Sequence, residues 1–168
     1  VPPRQILDFI EEKKKQFAAP LPELELRQKM AEERQEAEVF EGTKGILTML
    51  NLLIEDAKKG DEYYFFATFL KERNKEVQDF FHNYDAKRKD KGLFVRGLAP
   101  PELKSLFAGR EVLHVKYPAF PIPSDISICK GKVALITWGD RPIGYLIRSE
   151  QIFEMFKKFF ISIWNTLS

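Results

Sequence analysis

The chain has 168 residues, 44% of them apolar, which suffices for one domain with a proper core plus an appended helix and is too little for two full domains. Charged residues make up 31%, yet the formal net charge is only +2, so no global field draws the chain to nucleic acid or to an anionic membrane. The single cysteine, Cys129, excludes an internal disulfide, fits a reducing cytosol, and reads as a small buried residue of a strand rather than a nucleophile.

The longest apolar runs are too short and too striped to span a bilayer, and the opening VPPRQILDF lacks the regions of a signal peptide, so a soluble, cytoplasmic chain without membrane contact is expected. It does not begin with Met, and is expected to be a piece of a longer protein.

Pro2 and Pro3 open a helix in which Ile6, Phe9 and Ile10 form a short stripe, with Phe17 before Pro20 ends it. A second helical stretch runs from Leu21 to about Glu36. Its sparse apolar residues, Leu21, Leu24, Leu26, Met30 and Ala31, suit a narrow seam against a partner helix, so residues 1–36 are read as a helical connector and dimerisation arm.

Residues 37–168 read as one α/β domain. A short strand, Ala37 to Glu41, turns at Gly42, and Thr43 caps a helix whose buried face is Ile46, Leu47, Met49, Leu50, Leu53, Ile54 and Ala57, with Gly60 as its left-handed stop. Tyr63-Tyr64-Phe65-Phe66-Ala67-Thr68 is a nearly all-aromatic strand that must be covered on both faces. Val77, Phe80, Phe81 and Tyr84 mark the next helix, which ends in a basic run from Lys87 to Lys91 that the helix dipole favours without any ligand. Leu93 to Gly97 is a third strand, Pro101 starts a short helix through Phe107, and Glu111 to Tyr117 is a fourth strand.

Ile126-Ser127-Ile128-Cys129 turns at Lys130-Gly131-Lys132 into the apolar run Val133 to Trp138, and a third strand follows Pro142. Ser149 then caps a long helix in which Ile152, Phe153, Phe156, Phe159, Phe160, Ile163, Trp164 and Leu167 make one wide apolar stripe. Strand and helix alternating three times, then a hairpin and a final helix, predict a mixed, largely parallel sheet flanked by helices.

No metal spacing, phosphate-cradling glycine loop or nucleophile elbow is present, so neither metal nor cofactor is expected. His82 reads as a surface helix residue. His114-Val115-Lys116 opens like the HxKxxxxD motif of the phospholipase D superfamily, in which His is the nucleophile and Lys binds phosphate, but Pro121 stands where Asp is required and His114 reads as a structural strand residue.

The phrases VFEGTKGILTMLNLLIEDA, FFHNYDAKRKDKGLFVRGL, AFPIPSDISICKGKVALITW and IFEMFKKFFISIWNTL, in that order, resemble the effector-binding domain of TrmB-type archaeal transcription regulators, itself phospholipase-D-like. The resemblance implies a homodimer through the N-terminal arm, a small-molecule effector such as a sugar, and DNA contacts only through a winged helix-turn-helix absent from this chain. Aligning the motif's Asp with Lys130 puts Pro123 in the place of His and Asp125 in the place of Lys, so it implies a non-catalytic domain. A phosphodiesterase or nuclease, and a plain assembly module, are the alternatives. If the first four strands run parallel, Glu41, Thr68, Arg96 and Lys116 gather at their carboxyl edge with the Gly42 and Gly97 turns, and are the expected ligand contacts.

Overall fold

In the computed structural model, which describes residues 2–32, 35–67 and 75–168, the chain forms two compact units, Val1–Arg34 and Gln35–Ser168. The first holds helices α1 (Pro3–Ala18) and α2 (Leu21–Glu32). Ile6, Phe9, Ile10 and Phe17 follow helical spacing down one side of α1 and all lie exposed. In α2 the expected seam does not form. At 100° per residue Leu21 and Leu24 fall on one side and Leu26 and Met30 on the other, so α1 carries the arm's apolar face. Glu36 belongs to the first strand, not to the arm.

The second unit runs β1 (Glu36–Glu41), α3 (Gly42–Leu53), β2 (Glu62–Phe66), α4 (Lys75–Asp90), β3 (Phe94–Leu98), a 3-10 turn (Pro101–Leu103), α5 (Lys104–Phe107), β4 (Leu113–Lys116), β5 (Ile126–Cys129), β6 (Lys132–Thr137), β7 (Ile143–Arg148) and α6 (Glu150–Thr166). Seven strands make one sheet in the order β1-β7-β6-β5-β2-β3-β4. Only β2/β3 and β3/β4 are parallel neighbours; the other four pairings are antiparallel. The sheet is therefore mixed and only partly parallel. The β5-β6-β7 meander inserts between β1 and β2, so β1 closes on β7, more than a hundred residues later (Glu36 opposite Arg148), instead of on β2.

Alternation along the strands divides the core in two. Tyr63, Phe65, Val95, Cys129, Ala134 and Leu146 meet α3, α4 and α5 on one face, while Tyr64, Phe66, Leu98, Ile128 and Val133 meet α6 on the other. Gly144 of β7 lets α3 descend onto the sheet: a Cβ there would lie 2.8 Å from the Met49 sulfur. The α3 helix starts at Gly42 itself, so Thr43 is not its cap, and it ends at Leu53; Ile54 and Ala57 remain buried in the turn beyond it, and Gly60 follows that turn rather than stopping the helix. The basic end of α4 ties it to α3: Lys87 Nζ donates to Asn51 Oδ1 at 2.8 Å and Lys91 Nζ to the Glu55 carbonyl at 3.2 Å. At the start of α6, Ser149 Oγ accepts from the Ile152 amide at 3.2 Å, the expected cap.

Lys132 is a buried cation of β6, and its Nζ donates to the Leu52 carbonyl at 2.9 Å and to Asp56 Oδ2 at 3.0 Å. That hydrogen bond, with the lysine charge behind it, holds the Asp56 carboxyl below its ordinary value. A carboxyl depressed on folding contributes stability above its unfolded pKa, about 3.9, and loses that contribution as pH falls through the lower folded value. Asp56→Asn should thus be less stable than the parent at pH 6, with the gap closing as the pH drops below 4. Urea midpoints across that range check this; a gap that does not change with pH contradicts it.

Candidate functional site

β2 is wholly aromatic between Tyr63 and Phe66, and its rings on the α4 face build the walls of a cavity. Tyr63 meets Tyr84 edge-on at 6.1 Å, and Phe65 lies 6.0 Å from Phe107 at the end of α5. The enclosed volume is about 40 Å³, at the carboxyl end of β2 and β6 and the start of the antiparallel β5, which brings Asp125 and Ser127 to the same edge. It opens next to a depression of about 280 Å³ between α4 and α5, lined by Gln78, Phe81, His82, Asp85, Leu106 and Arg110; Phe81 and Arg110 border both.

Charge in the cavity is concentrated in two guanidinium groups sharing one carboxylate. Arg88 is only 3% exposed, its guanidinium 4.6 Å from the Tyr84 ring and 4.7 Å from that of Tyr63. Its Nη2 donates to Asp85 Oδ1, while Nε is buried without a hydrogen-bond partner. Arg110 holds the same carboxylate in a fork, Nε to Oδ2 and Nη2 to Oδ1, both at 2.7 Å. Across the cavity Asp125 accepts a hydrogen bond from Trp138 Nε1 at 2.9 Å, and its backbone takes φ 62°. Tyr84 donates to the Leu50 carbonyl at 2.7 Å, and burial drives its phenol well above its ordinary pKa. Burial also pushes the Cys129 thiol up to about 11, as befits an inert core residue.

The four residues expected to share a ligand do not converge. Glu41 is exposed on β1 and Lys116 is on β4, the two opposite edges of a seven-stranded sheet, with Glu41 4.0 Å from Arg141. Thr68 lies outside the described residues. Arg96 and Lys116 do come together, but on the α6 face: both cations sit over the Trp164 ring, at 5.7 and 4.6 Å, and Lys116 Nζ donates to the Trp164 and Leu167 carbonyls, satisfying the end of the helix. Arg96 lies at mid-strand, and Gly97 is inside β3 rather than in a turn. Arg96 also borders an open depression of about 430 Å³ near the amino ends of β2 and β3, where Lys157 pairs with Glu62 at 3.3 Å. The residues that do line the carboxyl-edge cavity were hidden in the sequence because Arg88 belongs to a basic run that helix electrostatics already explained, and Arg110 to a loop.

His114 is exposed on the edge strand β4 and His82 is exposed on α4. Pro123 is exposed ahead of β5, and Lys130 sits in the β5–β6 turn, its Nζ donating to the Asp56 carbonyl at 2.9 Å. Among the described residues no group of three or more His, Cys, Asp and Glu side chains is placed to hold a metal ion, and no helix is long and apolar enough to cross a membrane.

The mixed α/β fold is shared with solved structures. Nuc, a phospholipase D family member from Salmonella typhimurium, superposes with a TM-score of 0.56 over 80% of this chain and 97% of its own, at 13% identity. The chain has a phospholipase-D-like fold. NucT from Helicobacter pylori has the same fold, with a TM-score of 0.53 over 80% of this chain and 98% of that one, at 10% identity. TrmBL2, an archaeal chromatin protein with its own mode of DNA binding, matches with a TM-score of 0.55 at 18% identity, over 67% of its length and 97% of this chain, an extent that takes in most of the arm. No family model and no curated protein matches the sequence.

Proposed function

We propose that the chain is the non-catalytic, ligand-sensing and dimerising part of a transcription regulator, with DNA contacts made by a domain outside this sequence and a sugar or other small metabolite as effector. The observation that carries this reading is Asp125. It stands where the resemblance to phospholipase D enzymes would put the phosphate-binding Lys, and it lines the cavity at the sheet's carboxyl edge. A carboxylate there repels a phosphodiester, and neither exposed histidine borders that cavity. The likeness to TrmBL2, which reaches into the arm, supports a setting on DNA. The likeness to Nuc and NucT favours the second reading, a phosphodiesterase on the same scaffold.

Support for dimerisation through the arm comes from α1, whose apolar side chains Ile6, Phe9, Ile10 and Phe17 are all exposed in the single chain. Light scattering at high micromolar concentration should give a dimer for the intact chain and a monomer after removal of residues 1–34. A monomeric intact chain contradicts the arm's role. Sensing is checked on the same sample: at least one compound in a panel of sugars, sugar phosphates and other small metabolites should raise the melting temperature, as a ligand of the folded state must.

A further inference from the structure

The 40 Å³ cavity and the depression beside it differ in chemistry as well as size. The inner chamber is roughly three times the 10–15 Å³ that one water needs, so it takes only a head group. Two guanidinium groups, Arg88 and Arg110, and one carboxylate, Asp125, line it, and Asp85, which pairs with both arginines from the neighbouring depression, brings the formal charge to zero. A plain anion would upset that balance and meet Asp125; a plain cation would meet the guanidinium groups. A head group carrying both signs disturbs nothing. The donors and acceptors agree with this. Arg88 offers a buried, unpartnered Nε–H beside its bond to Asp85, and Arg110 spends Nε and Nη2 on Asp85, leaving Nη1 outside that fork. Asp125 and Ser127 stand on the same cavity as acceptors. The outer depression, about 280 Å³ and near the lower end of the about 300–1,000 Å³ usual for small-molecule sites, is flanked by Phe81 and Leu106 and suits an apolar body.

We propose that this cavity binds a free α-amino acid, its carboxylate on Arg88 and Arg110, its ammonium on Asp125 and Ser127, and an apolar side chain reaching out between Phe81 and Leu106. This rests on the sensor reading and names the effector's class. Charge-assisted hydrogen bonds supply the affinity, and the requirement for both charges at once supplies the selectivity.

The test is a melting and calorimetric titration of the full chain with L-leucine and L-phenylalanine, with 4-methylpentanoate and leucinamide as analogues lacking the ammonium and the carboxylate, and with the sugar panel alongside. At least one of the two amino acids should raise the melting temperature, and both analogues should bind about tenfold or more weakly, the usual consequence of leaving a buried charged partner unpaired. Arg88→Ala is exposed to folding failure because the guanidinium is packed among rings, so the decisive variants are Arg110→Lys and Asp125→Asn. The latter keeps an acceptor for Trp138 and a residue type that tolerates positive φ. Asp125→Asn should lose the preference for leucine over 4-methylpentanoate while melting like the parent without ligand. Stabilisation by a sugar or sugar phosphate with none by either amino acid overturns the amino-acid assignment and leaves the sensor reading standing; no stabilisation by any compound overturns both. Leucine binding that Asp125→Asn leaves unchanged removes this cavity as the site.

Discussion

Phe160→Ala should lower the free energy of unfolding by about 3–5 kcal/mol, and the melting temperature by roughly 6–20 °C for a chain of this size. Phe160 is fully buried at the centre of α6, its ring 4.8 Å from Tyr64, 5.5 Å from Phe66 and 5.7 Å from Trp164. Those rings come from β2 and from α6 itself, so truncation opens a hole that no single element can close by shifting. Phe159 is the internal control: it stacks on Phe66 at 5.9 Å but is 45% exposed, and its replacement by Ala should cost far less. Urea unfolding of both variants separates them. Equal costs would mean that α6 does not seat on the sheet through Phe160.

Gly97→Ala should be as damaging from the opposite cause. A Cβ at this position would lie 2.1 Å from Cζ of Phe65, and 2.5 and 2.6 Å from its neighbouring ring carbons. Relief would require the Phe65 ring to turn, but the ring is packed 6.0 Å from Phe107, with the Arg88 guanidinium 6.0 Å away on the cavity wall. Overpacking a well-filled core costs about 1–3 kcal/mol and at times more, and here the upper end is expected because three ring carbons at once would lie under 3 Å from the new Cβ. Gly144→Ala offers the contrast, since the two closest atoms a Cβ would meet there belong to the flexible end of Met49, and Ile46 Cγ1 lies at 3.4 Å. Thermal melts should rank Gly97→Ala well below Gly144→Ala; the reverse order contradicts the packing of β2 against β3.

Local signals in this sequence were strong wherever one element decides its own shape. The stripe from Ile152 to Leu167, the serine cap at Ser149 and the aromatic β2 all follow from spacing within a few residues. Strand partners did not follow, because pairing is a non-local choice: nothing in Glu36–Glu41 says that the chain's last strand, β7, will lie beside it. Helix ends were misread for a related reason. Ile54 and Ala57 continue the apolar spacing of α3 although they lie in the turn after it, since burial and helical backbone are separate demands.

The site suffered most from that limit. Alternation placed Arg96 and Lys116 at polar positions of apolar strands, but not on a particular face, and the face decides everything: both settle over Trp164 and the end of α6. Arg88 and Asp85, three residues apart in α4, meet Arg110 only after the chain has passed through β3 and α5. Asp125 entered the sequence reading only as the residue that stands where the phospholipase D motif has Lys, and not as a ligand contact, yet it lines the carboxyl-edge cavity.

The central claim is that this phospholipase-D-like scaffold binds rather than hydrolyses. The measurement that addresses it most directly is release of nitrophenol from bis(p-nitrophenyl) phosphate by the intact chain, with the His114→Ala variant assayed in parallel. The account predicts the buffer rate for both proteins. Turnover by the parent that disappears in His114→Ala would contradict it.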